Sequence, residues 1–132
     1  MHEDSVFTKI ISGDIPAHRI YEDDMTLAFL DTNPLTEGHT LVIPKRQVDK
    51  LYDLDDESYQ AVMATTKRVM RMLENTLNPV RVGLIVQGFD VPHAHVHVVP
   101  INQPDDLRRV PDPQQSPGDA ELAKIAERIR QA

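Results

Sequence analysis

Apolar positions along this chain follow two periods, and each period predicts elements. Val6-Phe7-Thr8-Lys9-Ile10-Ile11 has helical spacing, Ser12-Gly13 closes it and Pro16 lies just beyond, so a short helix is expected. Residues 19–22 read as a strand and Asp23-Asp24 as a turn. Residues 26–31 read as a second strand with Leu27 and Phe29 on one face; Asn33-Pro34 and Glu37-Gly38 mark the loop after it. A third strand covers 39–44 and is the most buried by composition. Acidic residues then open a long amphipathic helix over about 56–76, where they suit the helix dipole. Its stripe of Tyr59, Val62, Met63, Val69, Met70 and Leu73 reads as core contact. Residues 82–86 form a fourth strand, and Gly88-Phe89-Asp90-Val91-Pro92 is a tight connection into a fifth. Strands joined so briefly are expected to be antiparallel neighbours.

The fifth strand carries the most informative pattern: His93-Ala94-His95-Val96-His97, followed by Val98-Val99-Pro100. In a strand every second side chain shares a face, so the three imidazoles line one face at roughly 6–7 Å spacing, with a rise of about 3.3 Å per residue. Ala94, Val96 and Val98 turn toward a core. From 102 to 117 the chain is rich in Pro, Asp and Gln and reads as extended or loosely ordered tail. Residues 121–130 form a short amphipathic helix that should dock on the body or on a partner. The pattern is one α+β domain with an antiparallel sheet over 1–101, then a tail with a short helix over 102–132.

Composition narrows the function classes. With 132 residues the chain can bury a real core, and 40% hydrophobic residues indicates a globular protein. No apolar run is long enough to span a membrane, and Met1-His2-Glu3-Asp4 lacks the basic and apolar regions of a leader, so a cytoplasmic location is expected. There is no cysteine, which excludes disulfides and thiolate zinc sites. A net charge of −7 and the absence of tryptophan argue against a nucleic-acid binder, while leaving room for a local pocket that takes a small anion.

Two chemistries fit the histidine run. A neutral imidazole is a competent nucleophile near neutral pH, and attack on an α-phosphorus would give a nucleotidyl-histidine. That requires a fixed tautomer and donors for oxyanion charge, which neighbours at i−2 and i+2 could supply to His95. Alternatively His93, His95 and His97 could hold a metal with an open position, with Asp90 near enough in sequence to support a ligand. The residues alone leave these two readings about even.

The run resembles the signature of the histidine triad (HIT) family of nucleotide hydrolases and transferases. Other segments match in order: residues 6–16 resemble the family's opening helix and its Ile-Pro exit, and Tyr21-Glu22-Asp23-Asp24 through Ala28-Phe29-Leu30-Asp31 resemble its first two strands. Gly38-His39-Thr40-Leu41-Val42-Ile43-Pro44-Lys45 is close to its Gly-His-x-Leu-Val-Ile-Pro-Lys block. The branch it looks most like is the Hint-type one.

The resemblance implies the HIT fold, a five-stranded antiparallel sheet with a short and a long helix, and a homodimer in which two sheets join. It implies that His95 attacks the α-phosphorus, that His97 contacts phosphate and the leaving atom, that His93 supports the nucleophile's tautomer, and that His39 organises protons. Asp31 would accept from the ribose hydroxyls, Phe7, Ile10, Ile15, Leu30 and Leu41 would wall the base pocket, and Gln87 would lie near sugar or phosphate. The favoured substrate is a purine nucleoside phosphoramidate, then a dinucleoside polyphosphate. No metal cofactor is required, although magnesium could accompany a polyphosphate.

Departures from the family pattern are specific. Where members with a structural zinc carry Cys-x-x-Cys, this chain has Ser5 and Thr8, and Gln47 replaces a common histidine. A structural zinc is therefore not expected. The loop before the triad is shorter than usual, with Phe89-Asp90-Val91 where polar residues are common. A non-catalytic nucleotide-binding protein and a metal-dependent hydrolase are the rivals from other classes.

Overall fold

The computed structural model describes residues 3–132, so Met1 and His2 of the leader reading lie outside the described residues. Eight main elements follow in the order α1 (Val6–Ser12), β1 (Arg19–Glu22), β2 (Thr26–Leu30), β3 (Thr40–Pro44), α2 (Asp56–Leu77), β4 (Arg81–Ile85), β5 (Val96–Ile101) and α3 (Asp119–Arg130). The strands form one antiparallel sheet in the order β1-β2-β3-β5-β4. This is the predicted α+β architecture. No helix among the described residues is long and apolar enough to cross a membrane.

Strand alternation divides the interior in two. Ala28, Leu30, Val42, Val96 and Val98 face α2 and α3 and join Val62, Val69, Leu73, Leu122 and Ile129 in the larger cluster. Leu27, Phe29, Leu41 and Ile43 face the other way and pack with Phe7 and Ile10 of α1. A hydroxyl pair, Thr26 Oγ1 and Thr65 Oγ1 at 2.6 Å, links β2 to α2 inside the larger layer. On α2 the expected stripe holds at Val62, Val69 and Leu73, whereas Tyr59 is exposed and Ser58, Thr65 and Thr66 are buried in its place.

Both long-helix ends are capped by local chemistry. Asp55 accepts from the Ser58 amide at the N-terminus, and Asn78 adopts the left-handed conformation at the C-terminus with φ of 50°. Gly38, before β3, has φ of +92°, and a Cβ there would collide with Leu77 Cδ1. The loop leading to the site thus passes against the end of α2, where only glycine fits.

One segment differs from the sequence reading, while the C-terminal helix takes one of its two expected placements. The tail after β5 is ordered: Asp106, nearly buried, accepts from the amides of Asn102 and Gln103 and caps a short 3-10 helix over Pro104–Arg108. Leu107 then packs over Gly83 of β4. The capping carboxylate and this one leucine supply the order that a proline-rich composition hides. Helix α3 docks on the body, against β1, β2 and α2. Ile129 there is completely buried. Ile129→Ala should lower unfolding free energy by about 2–5 kcal/mol, read by urea denaturation; a change under about 0.5 kcal/mol would mean that α3 is not part of the cooperative core.

Candidate active site

Four histidines meet between the start of β3, the end of β5's approach and the loop before β3. Ladder bonding of β5 begins only at Val96, because the Ala94 amide donates to the Val48 carbonyl at 2.7 Å instead of to β3. The alternation predicted for the run persists even so. Ala94, Val96 and Val98 face the larger core, while the His93 and His95 rings pack edge-on against Phe7 with centroids at 5.7 and 5.1 Å. The His95 and His97 rings lean together to 5.1 Å between centroids, closer than straight-strand spacing predicts.

Main-chain partners assign the protons. His93 is completely buried, and its Nε2–H donates to the Pro44 carbonyl at 2.8 Å. That leaves His93 Nδ1 as an acceptor, facing Ser5 Oγ at 2.8 Å. His95 Nδ1–H donates to the His93 carbonyl at 2.7 Å, so its lone pair sits on Nε2. On the other side, the Leu35 amide donates to His39 Nδ1 at 3.0 Å, which puts the His39 hydrogen on Nε2. His39 Nε2–H then donates to His97 Nδ1 at 2.9 Å, and the hydrogen of His97 falls on its own Nε2. Among the described residues no protein group hydrogen-bonds Nε2 of His95 or of His97, so a nucleophilic lone pair and a donor remain free side by side.

Burial holds His39, His93 and His97 toward the neutral form. Burial pushes His39 down to about 3, with the neighbouring His97 adding to the effect. Burial likewise pushes His97 down to about 4, helped by His95 and opposed by Asp90. His93 is lowered by burial, against the pull of the Pro44 carbonyl. Asp31 is half-buried; it accepts from the Asn33 amide at 2.8 Å and lies 3.7 Å from His39 Nε2. Burial raises its carboxyl despite that bond.

The structure brings most sequence-predicted residues together, with two corrections. His93 does not offer its ring to a ligand, because both nitrogens are engaged; its carbonyl, not its imidazole, touches His95. Of the neighbours at i−2 and i+2, only His97 can assist at phosphorus. Leu30 lies in the larger cluster on the helix side, not with Phe7, Ile10, Ile15 and Leu41, since strand alternation turns it away from them. Phe29 and Ile43 complete that wall, with Phe29 edge-on to Phe7 at 5.6 Å. Gln87 is exposed and lines two openings: a cavity of about 420 Å³ with Asp31, His39, His97, Asp90 and Arg109, and one of about 360 Å³ with His95, Lys50, Tyr52 and Phe89. Arg109 comes from the tail, and nothing in its local sequence pointed to the site.

Metal chemistry fits these donors poorly. His93, His95 and His97 do not present three free nitrogens to one point. Asp31, His39 and His97 do converge within 4.8 Å. Yet the Leu35 amide occupies His39 Nδ1, so Nε2 carries hydrogen in place of the lone pair that a metal needs. Nor do the residues at the zinc-type positions fit zinc: Ser5, Thr8 and Gln47 supply two hydroxyls and an amide, bonded to one another and to His93.

Two buried neutral histidines imply a pH dependence with a definite sign. Below about pH 6.5 an unfolded chain protonates His39 and His97, while the fold excludes those protons until about pH 3 and 4. Stability therefore falls as pH drops through that window, by up to about 1.4 kcal/mol per pH unit for each histidine. Urea melts of His39→Asn against the parent chain between pH 7 and 4.5 should show a shallower fall in the variant; parallel curves would remove His39 from the account.

Comparison with known proteins places the fold in a family. A family model described as the HIT domain matches residues 12–103. The adenosine 5'-monophosphoramidase hnt1 of Schizosaccharomyces pombe is 39% identical over 97 residues, 72% of this chain and 72% of that protein. A HIT-like protein from Bartonella henselae, described as involved in cell-cycle regulation, superposes with a TM-score of 0.86 at 26% identity, over 99% of this chain and 98% of that one. A zinc-bound histidine triad family protein from Mycobacterium smegmatis gives 0.80 at 34% identity, over 96% and 90% of the two chains. The family match spans most of the sequence and includes all four histidines of the cluster, and on these grounds the chain belongs to the histidine triad (HIT) family.

Proposed function

We propose that this chain is a nucleotide hydrolase or transferase that cleaves a nucleotide conjugate at its α-phosphorus, with a purine nucleoside phosphoramidate as favoured substrate. The observation that carries the reading is the bond from His95 Nδ1–H to the His93 carbonyl at 2.7 Å, which leaves the Nε2 lone pair free beside His97. Attack by Nε2 forms a P–N bond to His95 and breaks the bond to the leaving nitrogen, which takes a proton from solvent and departs as the amine; the water that attacks next returns a proton. The His93 carbonyl supports the positive charge that then develops on the ring. Water attacks next, the bond to His95 breaks, and a nucleoside monophosphate departs. His97 Nε2–H is available to hydrogen-bond a phosphate oxygen or the departing nitrogen. Asp31 is suited to accept from ribose, and Phe7, Ile10, Ile15 and Leu41 to wall the base.

The charge around the site favours a phosphoramidate over a polyphosphate. Asp31 and Asp90 share the larger cavity with Arg109, its lysine or arginine cation, and Lys50 fills that role in the smaller one. A singly charged phosphoryl group suits such a site; a chain of phosphates would need further neutralisation, for instance by magnesium. The phosphoramidase name of the fission-yeast relative points the same way. We also read the chain as a homodimer joined along β4. That strand is a sheet edge, with Leu84 and Val86 exposed on it and just beyond it.

Adenosine 5′-phosphoramidate in the presence of chelator should yield AMP, and His95→Ala should release it at least about a thousandfold more slowly. No AMP from the parent chain would remove the phosphoramidate assignment, and loss of activity on chelation would return the metal reading. By light scattering after gel filtration, the parent should have the mass of two chains and Leu84→Lys that of one; a monomeric parent would end the dimer proposal.

A further inference from the structure

Three polar side chains, Ser5 and Thr8 at the start of α1 and Gln47 beyond β3, close on the buried ring of His93, and their protons can be assigned in sequence. Gln47 Nε2 donates to the Glu3 carbonyl at 2.9 Å, so Oε1 faces the other way. Gln47 Oε1 accepts from the Ser5 amide at 2.8 Å and from Thr8 Oγ1 at 2.6 Å. The Thr8 hydroxyl hydrogen is thereby consumed, although Thr8 Oγ1 lies 3.4 Å from His93 Nδ1. Ser5 Oγ also caps α1 by accepting from the Thr8 amide at 3.0 Å. Its single hydrogen remains, and the acceptor at 2.8 Å is His93 Nδ1. Ser5 is 5% exposed and His93 is fully buried, so water does not compete for this bond.

We propose that Ser5 is a positioning residue for the nucleophile: its hydroxyl hydrogen, given to His93 Nδ1, holds the His93 tautomer and main chain that orient His95. The connection is short. With Nδ1 satisfied by Ser5 and Nε2 by the Pro44 carbonyl, the His93 ring is tied at both ends. The same residue's carbonyl is the acceptor that sets His95. Without the Ser5 hydrogen, a buried imidazole lone pair is orphaned, and the ring gains reason to turn or to take a second proton. Helix α1 also carries Phe7, whose ring lies against both His93 and His95, so the cap holds that wall in register.

Capping and proton donation are separable by substitution. Ser5→Thr keeps both, Ser5→Ala loses both, and Ser5→Asp keeps the cap but has no hydrogen to give. The Asp carboxylate would instead face Nδ1 and draw a second proton onto His93, whose other titratable neighbour is His95. The kinetic part of the test rests on the proposed phosphoramidate chemistry; the tautomer part does not. Long-range proton–nitrogen NMR of the parent chain at pH 7 should show His93 protonated at Nε2 and bare at Nδ1, and Ser5→Asp should show both protonated. With adenosine 5′-phosphoramidate, Ser5→Ala and Ser5→Asp should lower kcat about tenfold with KM within about twofold, and Ser5→Thr should match the parent. A protonated Nδ1 in the parent would overturn the proposal, as would parent-like kcat in Ser5→Asp. If Ser5→Ala alone were impaired, the role would be capping and positioning would be refuted. A parent that released no AMP would sink the functional reading, and the NMR tautomer would then decide this inference by itself.

Discussion

Main-chain groups fix the protons of the histidine cluster, and the rest of the site depends on that constraint. The carbonyls of Pro44 and His93 and the amide of Leu35 each leave their histidine one choice of tautomer. Each group is in turn fixed by the fold. Pro44 ends β3 and pairs with Thr26. The segment at His93 is tied to Val48 through the Ala94 amide. The loop carrying Leu35 is pinned by Thr36 Oγ1 donating to the Pro100 carbonyl at 2.6 Å. The result is a lone pair on His95 and a hydrogen on His97, both specified before any ligand arrives. Preorganisation of this kind spares the reaction the cost of reorienting dipoles as charge develops.

One sheet supports two tasks because alternation assigns them to opposite faces. The helix face, under α2 and α3, holds the larger cluster and with it most of the apolar burial. The site face has a smaller cluster closed by α1. A helix of seven residues is not stable by itself; α1 persists through the Ser5 cap, its Gly13 end with φ of 90°, and the burial of Phe7 and Ile10. These are also the contacts that hold the His93 and His95 rings. Stability of the short helix and order of the His93 and His95 rings are therefore one property of the fold on that face.

What could be read from the sequence was what depends on side-chain pattern. The His-x-His-x-His alternation announced a shared face, and the valines beside it announced a core. It did not reveal that ladder pairing starts only at Val96, since the diversion of the Ala94 amide to Val48 is a tertiary choice. Leu30 could not be separated from Leu41 by composition; only the register of β2 against β3, with Leu30 opposite Thr40 and Phe29 opposite Leu41, puts them on opposite faces. Leu35 had no signal at all, because its contribution is an amide and any non-proline residue supplies one. Ser5 was visible as a departure from a zinc pattern, and Gln47 as the replacement of a common histidine. That they close a hydrogen-bonded ring on His93 required three segments to be brought together.

The neutrality of His39 and His97 bears on what the site can attract. A chain with net charge −7 that places Asp31 and Asp90 in the same cavity as His97 does not attract an anion through a broad positive field. The free donor of the cluster, His97 Nε2–H, is suited instead to an anion at contact distance, where an oriented N–H interacts strongly, and weakly beyond it. In the proposed reaction such a site would gain most as negative charge concentrates on the phosphoryl oxygens and least from the ground-state substrate. Because His39 and His97 stay neutral far below physiological pH, the direction of their hydrogen bond does not change as conditions vary around neutrality. On the proposed reading, selectivity would rest on the apolar wall of Phe7, Ile10, Ile15 and Leu41, the Asp31 carboxylate and the openings beside Gln87. These contacts are short-ranged, and all are set by the packing of α1, the β4–β5 loop and the tail against one sheet.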